Sequence, residues 1–211
     1  MAGLAGLASL VLAGCAELGA IGLSIGAIGQ SAVTVSRGEV TIAGPEGFCV
    51  YPFATRDRGT QAFVLLGNCA AITRSEEAPQ PPIHALLTAA VRETDAIEVA
   101  SQSDLLASFL RSETGRAMLS RDKNAATVTI LDSFSRGDVL YVHARDESES
   151  YAPGMTAEHW RAFLDVDGRI VALAVLGFEA DPLSAREGLS AVRDFAEAIR
   201  RSNLPPSAEA Q

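Results

Sequence analysis

Three histidines, one serine in a glycine frame and two acidic clusters are the groups in this sequence that could do chemistry. Gly22-Leu23-Ser24-Ile25-Gly26 has the G-x-S-x-G spacing of a nucleophile elbow. Such an elbow needs a buried strand before the serine and a helix after it, so that a strained turn lifts the hydroxyl. Here the serine stands in a ladder of Gly19, Gly22, Gly26 and Gly29, with no strand pattern before it and no helix start after it. That spacing suits a tether, or an apolar segment lying on a membrane. His84 stands alone, His143 sits in the strand-like run Leu140-Tyr141-Val142-His143-Ala144, and His159 adjoins Trp160. Cross-strand neighbours could bring the last two beside Asp132, Asp146 or Glu158 as a base–acid pair. A half-buried or surface histidine on a sheet is the commoner arrangement. Asp165-Val166-Asp167-Gly168 resembles the start of a calcium loop, but the remaining ligands and the closing Glu are missing. A tight hairpin turn accounts for it fully. The acidic run 146–150 could chelate a cation loosely, but a solvated loop is the commoner reading. No metal-ligand spacing, haem-attachment motif, phosphate-cradling loop or dinucleotide fingerprint is present, so no cofactor is expected.

The cysteines say more. Leu12-Ala13-Gly14-Cys15 closes an apolar run from Leu4 and resembles the lipobox of bacterial lipoproteins. In that family the thiol is diacylated, cleavage frees the cysteine's amino group, and the amine is usually acylated as well. The resemblance implies a signal peptide over 1–14 and a lipidated Cys15. Ala16, rather than Asp, follows the cysteine, which favours the outer membrane. Several acyl chains at about 0.8 kcal/mol per buried methylene make such an anchor effectively permanent. One departure is the absence of Lys or Arg in Met1-Ala2-Gly3; either the α-amino group serves alone or the natural start lies upstream. The competing reading is a buried apolar helix with an ordinary cysteine. Setting Cys15 aside leaves Cys49 and Cys69, an even pair in strand-like stretches. In an oxidising periplasm they are expected to form a disulfide; otherwise they are two buried thiols.

Composition sets the remaining bounds. The chain has 211 residues, with a formal charge of −9. Residues 1–36 hold a single charged side chain, Glu17. A net acidic chain lacks the basic face that nucleic acid requires, so nucleic acid is not an expected partner. Attachment to an anionic membrane would need a lipid or an apolar segment.

Elements able to position these residues follow from periodicity. Alternation and turn residues predict strands over 40–43, 48–51 and 62–66, with polar loops at 55–60 and 74–82; 86–91 reads as strand or helix, and its place between two turn-like segments suits the strand. Cap residues 101–104 precede a helical spacing at Leu105, Leu106, Phe109 and Leu110, and a second short helix covers 113–119. Two hairpins follow, 127–134 with 139–145 and 159–164 with 169–178, the latter turning at Asp167-Gly168. Asp181-Pro182 is expected to cap a long helix with Ala185, Leu189, Val192, Ala196 and Ile199 on one face. Trp160 and Phe163, three apart on a strand, should face opposite sides.

The fold class is therefore α+β: an antiparallel sheet of six to seven strands with one face under a short helical segment and a long C-terminal helix. The layout faintly resembles the PsbP/Mog1-like fold over 38–203. The expected division is a signal peptide at 1–14, a glycine-rich tether at 15–37, one periplasmic domain at 38–203, and a disordered tail at 204–211. G-P-E-G-F-C-V (44–50), A-F-V-L-L-G-N-C (62–69), G-R-A-M-L-S-R (115–121) and H-W-R-A-F-L-D-V-D-G (159–168) resemble uncharacterised lipoproteins of alphaproteobacteria of the Rhodobacter group. That resemblance implies export and anchoring but no chemistry. The expected function is a lipid-anchored, periplasm-facing envelope protein that binds an envelope partner or supports assembly without catalysis. The alternative is a small periplasmic hydrolase or ligand-binding enzyme using His143 or His159 with neighbouring carboxylates. An enzyme would place such a histidine beside a carboxylate in a cavity of a few hundred Å³; a binding module would present an apolar patch or a bare sheet face.

Overall fold

Period-two alternation of β-branched and aliphatic residues builds most of this chain, because such side chains pack well on a pleated surface. The computed structural model describes residues 29–94, 98–148 and 153–205. Cys15, Ser24, the expected signal peptide and most of the expected tail lie outside the described residues. Ten strands form: β1 (Ala32–Val35), β2 (Val40–Ala43), β3 (Phe48–Val50), β4 (Arg56–Asp57), β5 (Gln61–Asn68), β6 (Ala85–Glu93), β7 (Val128–Arg136), β8 (Val139–Asp146), β9 (Met155–Val166) and β10 (Arg169–Phe178). The helices are α1 (Cys69–Thr73), α2 (Val99–Arg111), α3 (Glu113–Leu119) and α4 (Ala185–Ser202). β1 and β2 make a separate hairpin. The large sheet is open and antiparallel, in the order β3-β5-β6-β10-β9-β8-β7, with β4 added on β5.

The folded part begins earlier than Gly38. β1 lies in the stretch read as tether, where Ala-Val-Thr-Val pairs with β2 across a turn at Ser36, Arg37 and Gly38, all with positive φ. The β9–β10 turn is as expected: Asp167 has φ 47 and Gly168 φ 71, the left-handed pair of a tight hairpin. The start of α4 is not. Asp181 bridges Phe178 in a short extended stretch. Ser184 is the cap, its hydroxyl accepting from Glu187 N–H while the Glu187 carboxylate accepts from Ser184 N–H. This capping box was readable in Ser184-x-x-Glu187.

Helices cover both faces of the sheet, not one. On the front face, α4 and the β1–β2 hairpin close the main core around Phe195, Leu66, Leu87, Leu164 and Leu173, all essentially fully buried. On the back face, α2 and α3 bury Leu106, Leu110 and Leu119 against Val128, Leu140, Val142 and Phe163. β8 explains the second layer. Its run Val139-Leu140-Tyr141-Val142 is buried residue after residue, as in a strand covered on both sides. Trp160 and Phe163 do face opposite sides, Trp160 in the front core and Phe163 in the back cluster.

Candidate functional site

Strand alternation decides where the histidines point. His143 pairs with Trp160, and Ala144 with His159, so the two rings stand on adjacent strands but opposite faces. On the front face, the His143 ring stacks on Trp160 with centroids 4.5 Å apart. Its Nε2 lies 3.5 Å from Glu158 Oε2. The same carboxylate also accepts from the Arg145 guanidinium. The void beside these groups is about 20 Å³, enough for one water and too small for a substrate.

On the back face, His159 is buried in a polar knot beneath α3. Arg161 Nε donates to His159 Nε2 at 3.1 Å, so that nitrogen is the acceptor. The proton therefore sits on Nδ1, which donates to Ala157 O at 3.2 Å. Burial, then the adjoining Arg161 charge, pushes the His159 pKa down to about 3. Burial also lowers Arg161, to about 10, and Arg161 donates to Leu119 O at 2.9 Å. Asp146 completes the knot. Burial alone would raise its pKa, but Ser148, the backbone N–H groups of Arg121 and Ser148, and Thr127 outweigh that and hold it low. The knot ties the α2–α3 layer to the sheet. Neither histidine lines a substrate-sized cavity.

The sites expected elsewhere resolve simply. Cys49 and Cys69 form a disulfide with Cα atoms 4.8 Å apart, joining β3 to the first residue of α1. Asp165 Oδ2 accepts from Ala100 N–H at 3.1 Å, steadying the start of α2. Among the described residues, no group of three His, Cys, Asp or Glu could hold a metal ion, and no helix is long and apolar enough to cross a membrane.

Two apolar concavities lie on the back face of β5, β6 and β10, beside the α2–α3 layer. Three registers place Gln61, Arg92 and Ile170, then Phe63, Ala90 and Ala172, then Leu65, Thr88 and Ala174 side by side there. Small residues make a low floor. Phe63 is 39% exposed, Ala90 is exposed, and Leu65, Leu86 and Thr88 are half-buried. The result is an apolar trough with a hollow at each end. The larger hollow, about 850 Å³, is lined by Tyr51, Leu65, Ile72, Leu86 and Phe178. At its rim His84 Nδ1 meets Asp181 Oδ2 at 2.8 Å, both side chains about two-thirds exposed. Near this end Gln30 O accepts from Val50 N–H at 2.8 Å. The smaller hollow, about 520 Å³, opens between Phe109, Leu110 and Met118 of the helices and Phe63, Ala90 and Ala172 of the sheet. Arg56, Arg58 and Arg92 stand around it. The place of the trough was not anticipated from the sequence, although Phe63, Leu65, Ala90 and Ala172 are apolar strand positions. No protein-family model, curated protein or solved structure matches the chain.

Proposed function

We propose that this chain is an envelope protein, lipid-anchored through Cys15 and facing the periplasm, with the outer membrane favoured, whose folded domain binds rather than transforms its partner. The partner is an envelope protein, and the trough receives an apolar segment of it. The trough itself carries this reading. A floor of Ala, Gly and Thr between half-exposed Phe63 and Leu65 is apolar surface that a chain without a partner has reason to cover. Two observations favour binding over hydrolysis: His143 and His159 are divided between faces, and the void beside them is smaller than any substrate. The His84–Asp181 pair edges the larger hollow as a polar rim that orients a bound segment.

The test is site-specific photo-crosslinking in intact envelopes. A photoreactive residue at Leu65 or Ala90 should give one discrete protein adduct, and the same residue at exposed Glu197 on α4 should give none. Absence of adducts from the trough, or equal labelling from Glu197, would overturn the reading.

A further inference from the structure

We infer that the smaller hollow is a binding site for a single-chain fatty carboxylate, with its tail between the α2–α3 layer and the sheet and its head group among Arg56, Arg58 and Arg92. The site goes beyond the partner-binding role of the trough and stands at the opposite end from the larger hollow. Three observations converge on it. The cavity is about 520 Å³ and walled by Phe63, Phe109, Leu110 and Met118, within the range of roughly 300–1,000 Å³ typical of small-molecule sites. It therefore suits one acyl chain.

The second observation is charge. In a chain of net charge −9, three arginines line one apolar cavity. Arg56 donates to the carbonyls of Phe53 and Thr55 at 2.7 and 2.8 Å, which fixes its position. Their backbones are tied into the strands, but the guanidinium groups of Arg58 and Arg92 make no hydrogen bond or ion pair with another described residue. Cations with no ion-pair partner among the described residues repel one another, and a bound anion would relieve that repulsion.

The third observation is that the neighbouring acids among the described residues are committed elsewhere. Asp57 accepts from the N–H groups of Ser36 and Gly59. Glu93 alternates to the other face of β6. Asp165 shares the back face but lies two strands from Arg92, about 10 Å away, and its carboxylate accepts from Ala100 N–H. A carboxylate head matches a planar guanidinium fork in a way that a neutral head group does not.

The experiment uses the full chain in lipid nanodiscs. A long-chain fatty acid carrying a mid-chain diazirine, and the matching fatty alcohol, are photo-crosslinked and the labelled peptides mapped by mass spectrometry. The acid should label residues of the 106–118 and 61–63 segments and outcompete the alcohol. Arg58→Gln with Arg92→Gln should weaken acid labelling about tenfold while leaving alcohol labelling unchanged. Both positions are exposed, so folding survives, and an unchanged melting temperature checks it. Ala172→Trp, which fills the floor, should block both probes. Equal labelling by acid and alcohol, insensitive to the arginine changes, would overturn the carboxylate site. No labelling by either probe would overturn it too, and if Leu65 still crosslinks a protein in envelopes, the partner-binding role stands without it.

Discussion

His159 sets the acid side of this protein's stability. The native state keeps the ring neutral down to a pKa of about 3, against 6.5 for a free histidine. The unfolded chain therefore takes up a proton below about pH 6.5 that the native state refuses. The contribution is fully present above that value and is lost as pH falls towards 3, at up to about 1.4 kcal/mol per pH unit. Asp146 acts with the same sign in more acidic solution, because its native carboxyl is also held below its ordinary value. Urea midpoints measured from pH 7 to 4 should decline steadily. His159→Gln keeps an acceptor for Arg161 but cannot titrate, and its profile should be flatter between pH 6.5 and 4. An unchanged slope would mean that other groups govern acid unfolding. The nearness of His143 to Glu158 and of His159 to Asp146 was legible as a cross-strand possibility, but the burial and the arginine partner were not. The histidines could be named, but their faces depend on register, and a buried arginine neighbour leaves no trace in spacing.

At the scale of elements, the docking of α4 hangs on one missing side chain. Gly188 faces Trp160, and a Cβ there would lie 2.6 Å from Trp160 Cδ1. The indole has nowhere to go, stacked on His143 and edge-on to Phe134 at 6.2 Å. Gly188→Ala gains about 1 kcal/mol of helix propensity but overpacks the core by about 1–3 kcal/mol. Net destabilisation of about 1 kcal/mol should follow, with altered emission from the single tryptophan; an equally or more stable variant would mean that α4 sits further from β9. α2, α3, α4 and the two C-terminal hairpins were legible, because period 3.6, period 2 and Asp167-Gly168 are local signals, whereas α1 and β1 were not read. The back-face layer was half legible, since the uninterrupted apolar run of β8 already required cover on both sides. The trough was hidden for a physical reason. Phe63, Leu65, Ala90 and Ala172 read the same whether a helix lies over them or nothing does, so an uncovered apolar face differs from a covered one only in three dimensions.

For the whole molecule, the disulfide links the fold to its compartment. Cys49 and Cys69 close a loop across a separation of 20 residues, which is worth about 3 kcal/mol by loop-closure entropy. That stabilisation exists only where thiols are oxidised, so the proposed route of export through the apolar leader and Cys15 is also a condition for stability. The two can be separated in cells. The natural chain should take up a clickable fatty acid and fractionate with membranes, with Cys49 and Cys69 blocked to alkylation. Cys15→Ser should lose the acyl label but keep the disulfide, because the leader still delivers the chain. Deleting residues 4–14 should leave two alkylatable thiols and lower stability by about 3 kcal/mol. An acyl label that survives Cys15→Ser would remove the anchor. A disulfide that forms equally in the leaderless chain would detach the sulfur pair from export, and the trough would then face a different compartment and a different set of partners.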